Sequence, residues 1–154
     1  MVPIDSLRRV EILNGLTDEE LARVASICQV VTFQRQENIV REGDPSDDLY
    51  VIDRGSVEIV LSKNRVTAES LAASGPRAIV SLGQGQVFGE MALIDRGPRS
   101  ATVRCTTDDA QLYQIRREAF AELCAQDTDI GYKVMRNIAA DLSFKLRHSN
   151  LSWK

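Results

Sequence analysis

Histidine is almost missing from this chain. His148 is the only one among 154 residues, which excludes metal centres built from several imidazoles. Cysteine is scarce and scattered: Cys28, Cys105 and Cys124 are odd in number, far apart, and form no C-x-x-C pair. They read as reduced, mostly buried thiols of a cytosolic protein rather than as a disulfide framework. No apolar run approaches the ~18 residues that a membrane span needs. The opening Met-Val-Pro-Ile-Asp-Ser-Leu-Arg-Arg has no apolar stretch after its charges, so it is not read as a signal peptide. A cytoplasmic location without membrane contact is expected.

An excess of positive charge is missing too. Lys and Arg number 19 against 22 Asp and Glu, the net charge is −3, and the sequence pI is about 5.2. Broad binding along a phosphate backbone requires a basic face, so no direct nucleic-acid binding is expected. One bound nucleotide needs only a local cation and a nest of backbone N–H groups, and stays open. Enzyme signatures are lacking as well. There is no G-K-[ST] phosphate loop, and Gly83-Gln84-Gly85-Gln86-Val87-Phe88-Gly89 has the wrong glycine spacing for a dinucleotide fingerprint. No nucleophile stands with an evident base. The chain is read as a non-enzyme without a cofactor.

What is present has the composition of an ordinary globular domain, 44% hydrophobic and 27% charged, in a length that suits one domain with a real core. Residues 1–26 read as short helices. Thr17-Asp18-Glu19-Glu20 is a capping box, and Leu21, Val24 and Ala25 supply the apolar face behind it. Residues 27–116 read as many short strands. Ile27–Phe33 is rich in β-branched residues, and Arg41-Glu42-Gly43-Asp44-Pro45-Ser46 is a turn cluster. Leu49–Asp53 and Val57–Leu61 flank a hairpin turn at Arg54-Gly55-Ser56, and Thr102–Thr106 and Ala110–Ile115 flank another at Thr107-Asp108-Asp109. Such spacing, with no helices between, indicates a sandwich or barrel. Residues 63–78 read as a long surface loop or extended hairpin.

Residues 117–150 read as helical, with a short helix over Arg117–Cys124 and a longer one opening at Asp127-Thr128-Asp129. The apolar stripe of the longer helix runs Ile130, Val134, Ile138, Leu142, Leu146, with Met135 and Ala139 beside it. Steps of four turn the stripe by ~40° each at 3.6 residues per turn, ~160° in all. One flat partner surface cannot cover it. The first half is expected to pack on the barrel, and the second on something else: a dimer partner, the ligand, or an extension.

The most informative run is Phe88-Gly89-Glu90-Met91-Ala92-Leu93-Ile94-Asp95-Arg96-Gly97-Pro98-Arg99-Ser100-Ala101-Thr102. Phe-Gly-Glu-Met-Ala-Leu suggests a tight turn entering a very short helix, whose free N–H groups suit a phosphate. Gly89 lets the backbone approach a ligand closely. Arg99 offers a forked, permanent cation for phosphate oxygens, on a backbone that Pro98 constrains. Glu90 is an acceptor suited to sugar hydroxyls. Together they call for a ligand carrying phosphate and ribose. The plainer alternatives are a Glu90 carboxylate paired with a nearby arginine, a solvated Arg99, and an ordinary turn at Gly89.

This run closely resembles the phosphate-binding cassette of the cyclic nucleotide-binding domain family, the type found in catabolite activator protein and in the regulatory subunit of cAMP-dependent protein kinase. The family pattern stands here as Phe88-Gly89-Glu90-Met91-Ala92-Leu93 and Pro98-Arg99-Ser100-Ala101-Thr102-Val103. The resemblance extends over roughly residues 5–150. It implies an α+β, mainly β fold: an antiparallel β-roll of the double-stranded β-helix or jelly-roll kind, between short N-terminal helices and C-terminal helices. The whole of 1–154 is then one such domain, with its cassette at 88–102.

The resemblance also implies a ligand, cAMP or possibly cGMP. Glu90 would take the ribose 2′-hydroxyl and Arg99 the cyclic phosphate, while Gly89, Ala92 and Leu93 act through their backbone. A serine at Ser100 leans toward cAMP within the family. Val80, Leu82 and Val87 are expected on the pocket's apolar wall, though core packing alone explains them equally well. Trp153 could cap the base, though a frayed tail is the plainer reading, and a surface role is the default for His148. The function implied is a cyclic nucleotide sensor that repositions its C-terminal helix, working on a homodimer partner or an effector protein. The alternatives are a transcription regulator of the catabolite-activator type lacking its DNA-binding domain, and a non-binding structural relic that acts through protein contacts.

Overall fold

The structure, a computed structural model, describes residues 2–60, 78–94, 99 and 101–149. Two short helices, α1 (Ile4–Arg8) and α2 (Asp18–Ala25), open the chain, with a 3-10 turn at Glu11–Leu13 between them. Among the described residues eight strands follow: β1 (Cys28–Phe33), β2 (Asn38–Val40), β3 (Leu49–Arg54), β4 (Val57–Val60), β5 (Ala78–Leu82), β6 (Val87–Phe88), β7 (Thr102–Cys105) and β8 (Ala110–Ile115). Helices α3 (Arg117–Gln126) and α4 (Thr128–Ser149) close it. The 63–78 connection lies, up to residue 77, outside the described residues.

The strands form two four-stranded antiparallel sheets, ordered β1-β8-β3-β6 and β2-β7-β4-β5. This is the mainly β, α+β architecture expected. The period of two sorts the central strands into two cores. Tyr50, Ile52, Phe88, Ala110 and Leu112 of the first sheet meet Val40, Val57, Val103 and Cys105 of the second. Leu49, Val51, Val87, Tyr113 and Ile115 face the other way, into a core shared with α1, α2, α3 and α4. Val87 therefore packs under the helices and faces away from the inter-sheet space, the core role that its side chain also allowed. It and Phe88 are neighbours on a strand and must point to opposite faces. Leu82 packs half-buried on the inter-sheet core, and Val80 stands exposed.

Local chemistry explains the boundaries. Glu20 N–H donates to Thr17 Oγ1 at 3.2 Å, and Thr17 N–H donates to Glu20 Oε1 at 2.8 Å, the reciprocal capping box that starts α2. Glu20 also receives the Lys133 ammonium at 2.8 Å, which ties α2 to α4. That ammonium first, and the Thr17 N–H second, hold the Glu20 carboxyl below the usual carboxylate range. At the β3–β4 hairpin Gly55 has φ +98°, and a Cβ there would stand 2.7 Å from Thr107 Oγ1 and 2.8 Å from Ala110 Cβ. Only glycine fits both the conformation and the space.

The stripe of α4 divides as its turning demands. Ile130, Val134 and Ile138 are fully buried in the helix-side core, with Leu142 packed partly against it. They sit on α3 and on the 3-10 turn, where Asn137 Nδ2 donates to the carbonyls of Ile12 and Asn14, each at 2.9 Å. Phe144 and Leu146, in the second half, are 62% and 56% exposed. His148 is exposed and leans on Phe144, with ring centroids 4.1 Å apart. The three cysteines are free thiols; Cys105 is buried and the other two are half-buried. Burial pushes the Cys28 thiol up to about 12, and burial with the Asp127 charge pushes Cys124 up to about 11, so neither forms a thiolate at neutral pH. No described helix is long and apolar enough to cross a membrane.

Candidate ligand site

The cassette is assembled from two arms. The first begins at Phe88, which ends β6, pairs opposite Tyr50 on β3, and stacks on the Tyr50 ring at 5.0 Å and 13°. Gly89 follows in the left-handed region at φ +86°, ψ +4°, and heads a four-residue 3-10 turn, Glu90–Leu93. A Cβ at Gly89 would lie 2.6 Å from the Asp48 carbonyl oxygen and 2.8 Å from Arg99 Nη1. Conformation and crowding both require glycine here. Glu90 is half-buried and engaged in a polar contact. Met91 is 46% exposed, while Leu93 leans on the helix-side core. The turn offers the free N–H groups expected from the sequence, but so short a turn carries little dipole. The positive charge has to come from a side chain.

Arg99 supplies it. The residue is buried, 8% exposed, and its backbone is clamped to the β2–β3 turn cluster. Gly43 N–H donates to the Arg99 carbonyl at 2.8 Å, and Arg99 N–H donates to the Asp44 carbonyl at 3.0 Å. The guanidinium donates from Nη2 to the Asp48 carbonyl at 2.7 Å and from Nε to Ser46 Oγ at 3.3 Å, and Nη1 lies alongside Gly89. These acceptors are neutral. None of the ion pairs among the described residues includes Arg99. A buried cation whose partners among the described residues are neutral oxygens keeps charge with which to meet an anion.

The expected residues Phe88, Gly89, Glu90, Met91 and Leu93 thus form one turn, and the guanidinium of Arg99 reaches its head. Ala92 lies within that turn. Ala101 is half-buried just before β7, and next to it Thr102 Oγ1 accepts from Glu42 N–H at 3.0 Å. Pro98, Ser100 and Trp153 lie outside the described residues. Sequence reasoning missed Ser46, Asp48, Tyr50 and Gln114. Gln114 Nε2 donates to Asp48 Oδ2 at 2.5 Å and faces Tyr50 Oη at 3.4 Å. Burial, then the Asp48 charge, pushes the Tyr50 phenol above its ordinary pKa, so it keeps its proton at neutral pH. The 41–46 run signalled only a turn; nothing in it shows that the turn would close over an arginine far along the chain.

Elsewhere, a cavity of about 440 Å³ at the α3–α4 junction is lined by Arg23, Leu123, Gln126, Asp127, Thr128 and Asp129, and by no cassette residue. Carboxylate oxygens of Glu20, Asp127 and Asp129 lie within 4.8 Å of one another beside it. Lys133 on Glu20 and Arg23 on Asp127 already meet that charge, so the cluster is an ion-pair network between helices.

A turn of this shape on a β-roll, with a buried arginine at its head, defines a class. The sequence model of the cyclic nucleotide-binding domain matches residues 30–127, and the chain belongs to that family. It is 31% identical over 117 residues to the cAMP-dependent protein kinase regulatory subunit of Emericella nidulans, covering 76% of this chain and 26% of that protein. It is 26% identical over 140 residues to the cGMP-dependent protein kinase of Toxoplasma gondii, covering 91% of this chain and 13% of that protein. The chain therefore spans about a quarter or less of the length of these relatives. The crystal structure of the Thermus thermophilus catabolite activator protein superposes with a TM-score of 0.75 at 28% identity, covering 92% of this chain and 60% of that one.

Proposed function

We propose that the chain is a non-catalytic sensor domain that binds a cyclic nucleotide, cAMP in preference to cGMP, and passes the event to its C-terminal helix. The observation that carries this reading is the buried Arg99 guanidinium, held by neutral acceptors beside the Gly89 turn. Its fork suits the two exocyclic oxygens of a cyclic phosphate, which it meets through charge-assisted hydrogen bonds. Glu90, next to Gly89 at the head of the turn, takes the ribose 2′-hydroxyl. The relatives by name include both cAMP- and cGMP-dependent kinases. The preference for cAMP rests on Ser100 in the cassette pattern.

Ligand binding moves the helix only if the two positions of the helix contact the ligand or the cassette differently. The division of α4 supports such a role. Its first half is fixed to the core, while Phe144 and Leu146 in its second half present apolar surface to a second copy or an effector protein. The domain acts in the cytoplasm and makes no direct contact with nucleic acid, in keeping with its net charge of −3.

A thermal-shift panel of cAMP, cGMP and 5′-AMP tests this. At a hundredfold excess over Kd, a ligand that binds only the folded state adds ~2.7 kcal/mol, a rise of several degrees in Tm. The expected order is cAMP, then cGMP, with 5′-AMP near zero. No shift with either cyclic nucleotide would favour the relic that acts through protein contacts alone.

A further inference from the structure

We infer that Gln114 is a positioning residue for the ligand site: it holds the Asp48 carboxylate away from Arg99 and so keeps the guanidinium open to a ligand phosphate. This rests on the reading of Arg99 as the phosphate ligand. Gln114 lies on β8 directly opposite Tyr50 of β3, within the sheet that also carries Phe88. Its Nε2 donates to Asp48 Oδ2 at 2.5 Å, a charge-assisted bond in a half-buried setting. The same nitrogen faces Tyr50 Oη at 3.4 Å, and the Tyr50 ring backs Phe88.

Asp48 sits at a decision point. Its carbonyl oxygen already accepts from Arg99 Nη2 at 2.7 Å, and the space beside that carbonyl is filled by Gly89. The Asp48 carboxylate, one residue's reach from the guanidinium, is therefore a ready-made competitor for the ligand's phosphate. Among the described residues it forms no ion pair with Arg99; it is turned onto the Gln114 amide instead. A neutral donor suits this task. It satisfies the carboxylate without bringing a second cation that would change the charge of the site. Without it, rotation about the Asp48 side-chain bonds would bring the carboxylate to Arg99, and a ligand would have to displace an internal ion pair.

The test is a double-mutant cycle read by calorimetric titration with cAMP. In the natural background Gln114→Leu is expected to weaken binding about tenfold, the scale of one hydrogen bond to a charged group. Gln114→Glu, which keeps length and shape, is expected to weaken it further by pushing the carboxylate toward Arg99. In an Asp48→Asn background no carboxylate is left to compete, and Gln114→Leu is expected to cost less than about twofold, the usual margin for uncoupled sites. A Gln114 that serves only packing would cost the same in both backgrounds, and that result would overturn the inference while leaving the site intact. So would unchanged affinity in both Gln114→Leu and Gln114→Glu. A natural protein that binds no cyclic nucleotide would overturn the site itself, and the inference with it.

Discussion

Glu20 and Arg99 are the two charged side chains buried among the described residues, 7% and 8% exposed, and their surroundings differ in kind. Glu20 lies in the helical layer with its charge answered three ways: the Lys133 ammonium, the Thr17 N–H, and the start of α2. Arg99 lies in the cassette and meets a serine hydroxyl and a backbone carbonyl. The first charge is a structural joint that is complete as it stands. The second meets no opposite charge among the described residues. Burial alone therefore says little about function, and the identity of the partner decides it.

That contrast can be broken at several points. The largest effect is expected at Gly89, which carries the cassette side. Gly89→Ala must adopt a left-handed conformation and push against the Asp48 carbonyl and the Arg99 guanidinium, at a cost of about 3 kcal/mol by denaturant unfolding. Because the clash falls on Arg99, cAMP affinity should fall with it. An alanine variant as stable as the natural protein would contradict the described turn.

On the other side, Lys133→Met removes the counter-ion of Glu20 and leaves a buried carboxylate held only by its cap. The expected loss is about 2 kcal/mol in chemical denaturation, with cAMP affinity unchanged. Thr17→Ala is milder, about 1 kcal/mol, since it takes one capping acceptor and leaves the ion pair. If either variant weakened ligand binding strongly, the two regions would not be separate in the way described.

The smallest effect is in pH. The folded Glu20 carboxyl titrates below its ordinary value of 4.5, so its contribution is fully present above about that pH. It is lost as pH falls through the folded value. Acid unfolding curves should show this loss at the bottom of the carboxylate range, and Lys133→Met should flatten it.

Much of this was legible in the sequence. The Thr17–Glu20 box, the Gly55 and Thr107–Asp109 hairpins and the turning stripe of α4 are local or periodic signals, and each found its element. The cassette was legible as a motif, because its spacing is short. The surroundings of Arg99 were not. Ser46 and Asp48 come from a turn some fifty residues earlier, and Gln114 from a strand fifteen residues later, joined only by sheet register. The two-residue strand β6 also hid its faces: too short to show alternation, it gave no hint that Val87 would go under the helices while Phe88 entered the inter-sheet core.

The most direct test of the central claim is a calorimetric titration of cAMP into the natural protein and into Arg99→Met. The methionine keeps most of the buried volume and removes the buried charge, so the free domain should be as stable as before or slightly more so. The natural protein should bind one cAMP per chain, and the variant should bind at least thirtyfold more weakly, about 2 kcal/mol, the low end for removing one partner of a buried charge pair. Equal affinity in the two proteins would contradict the account.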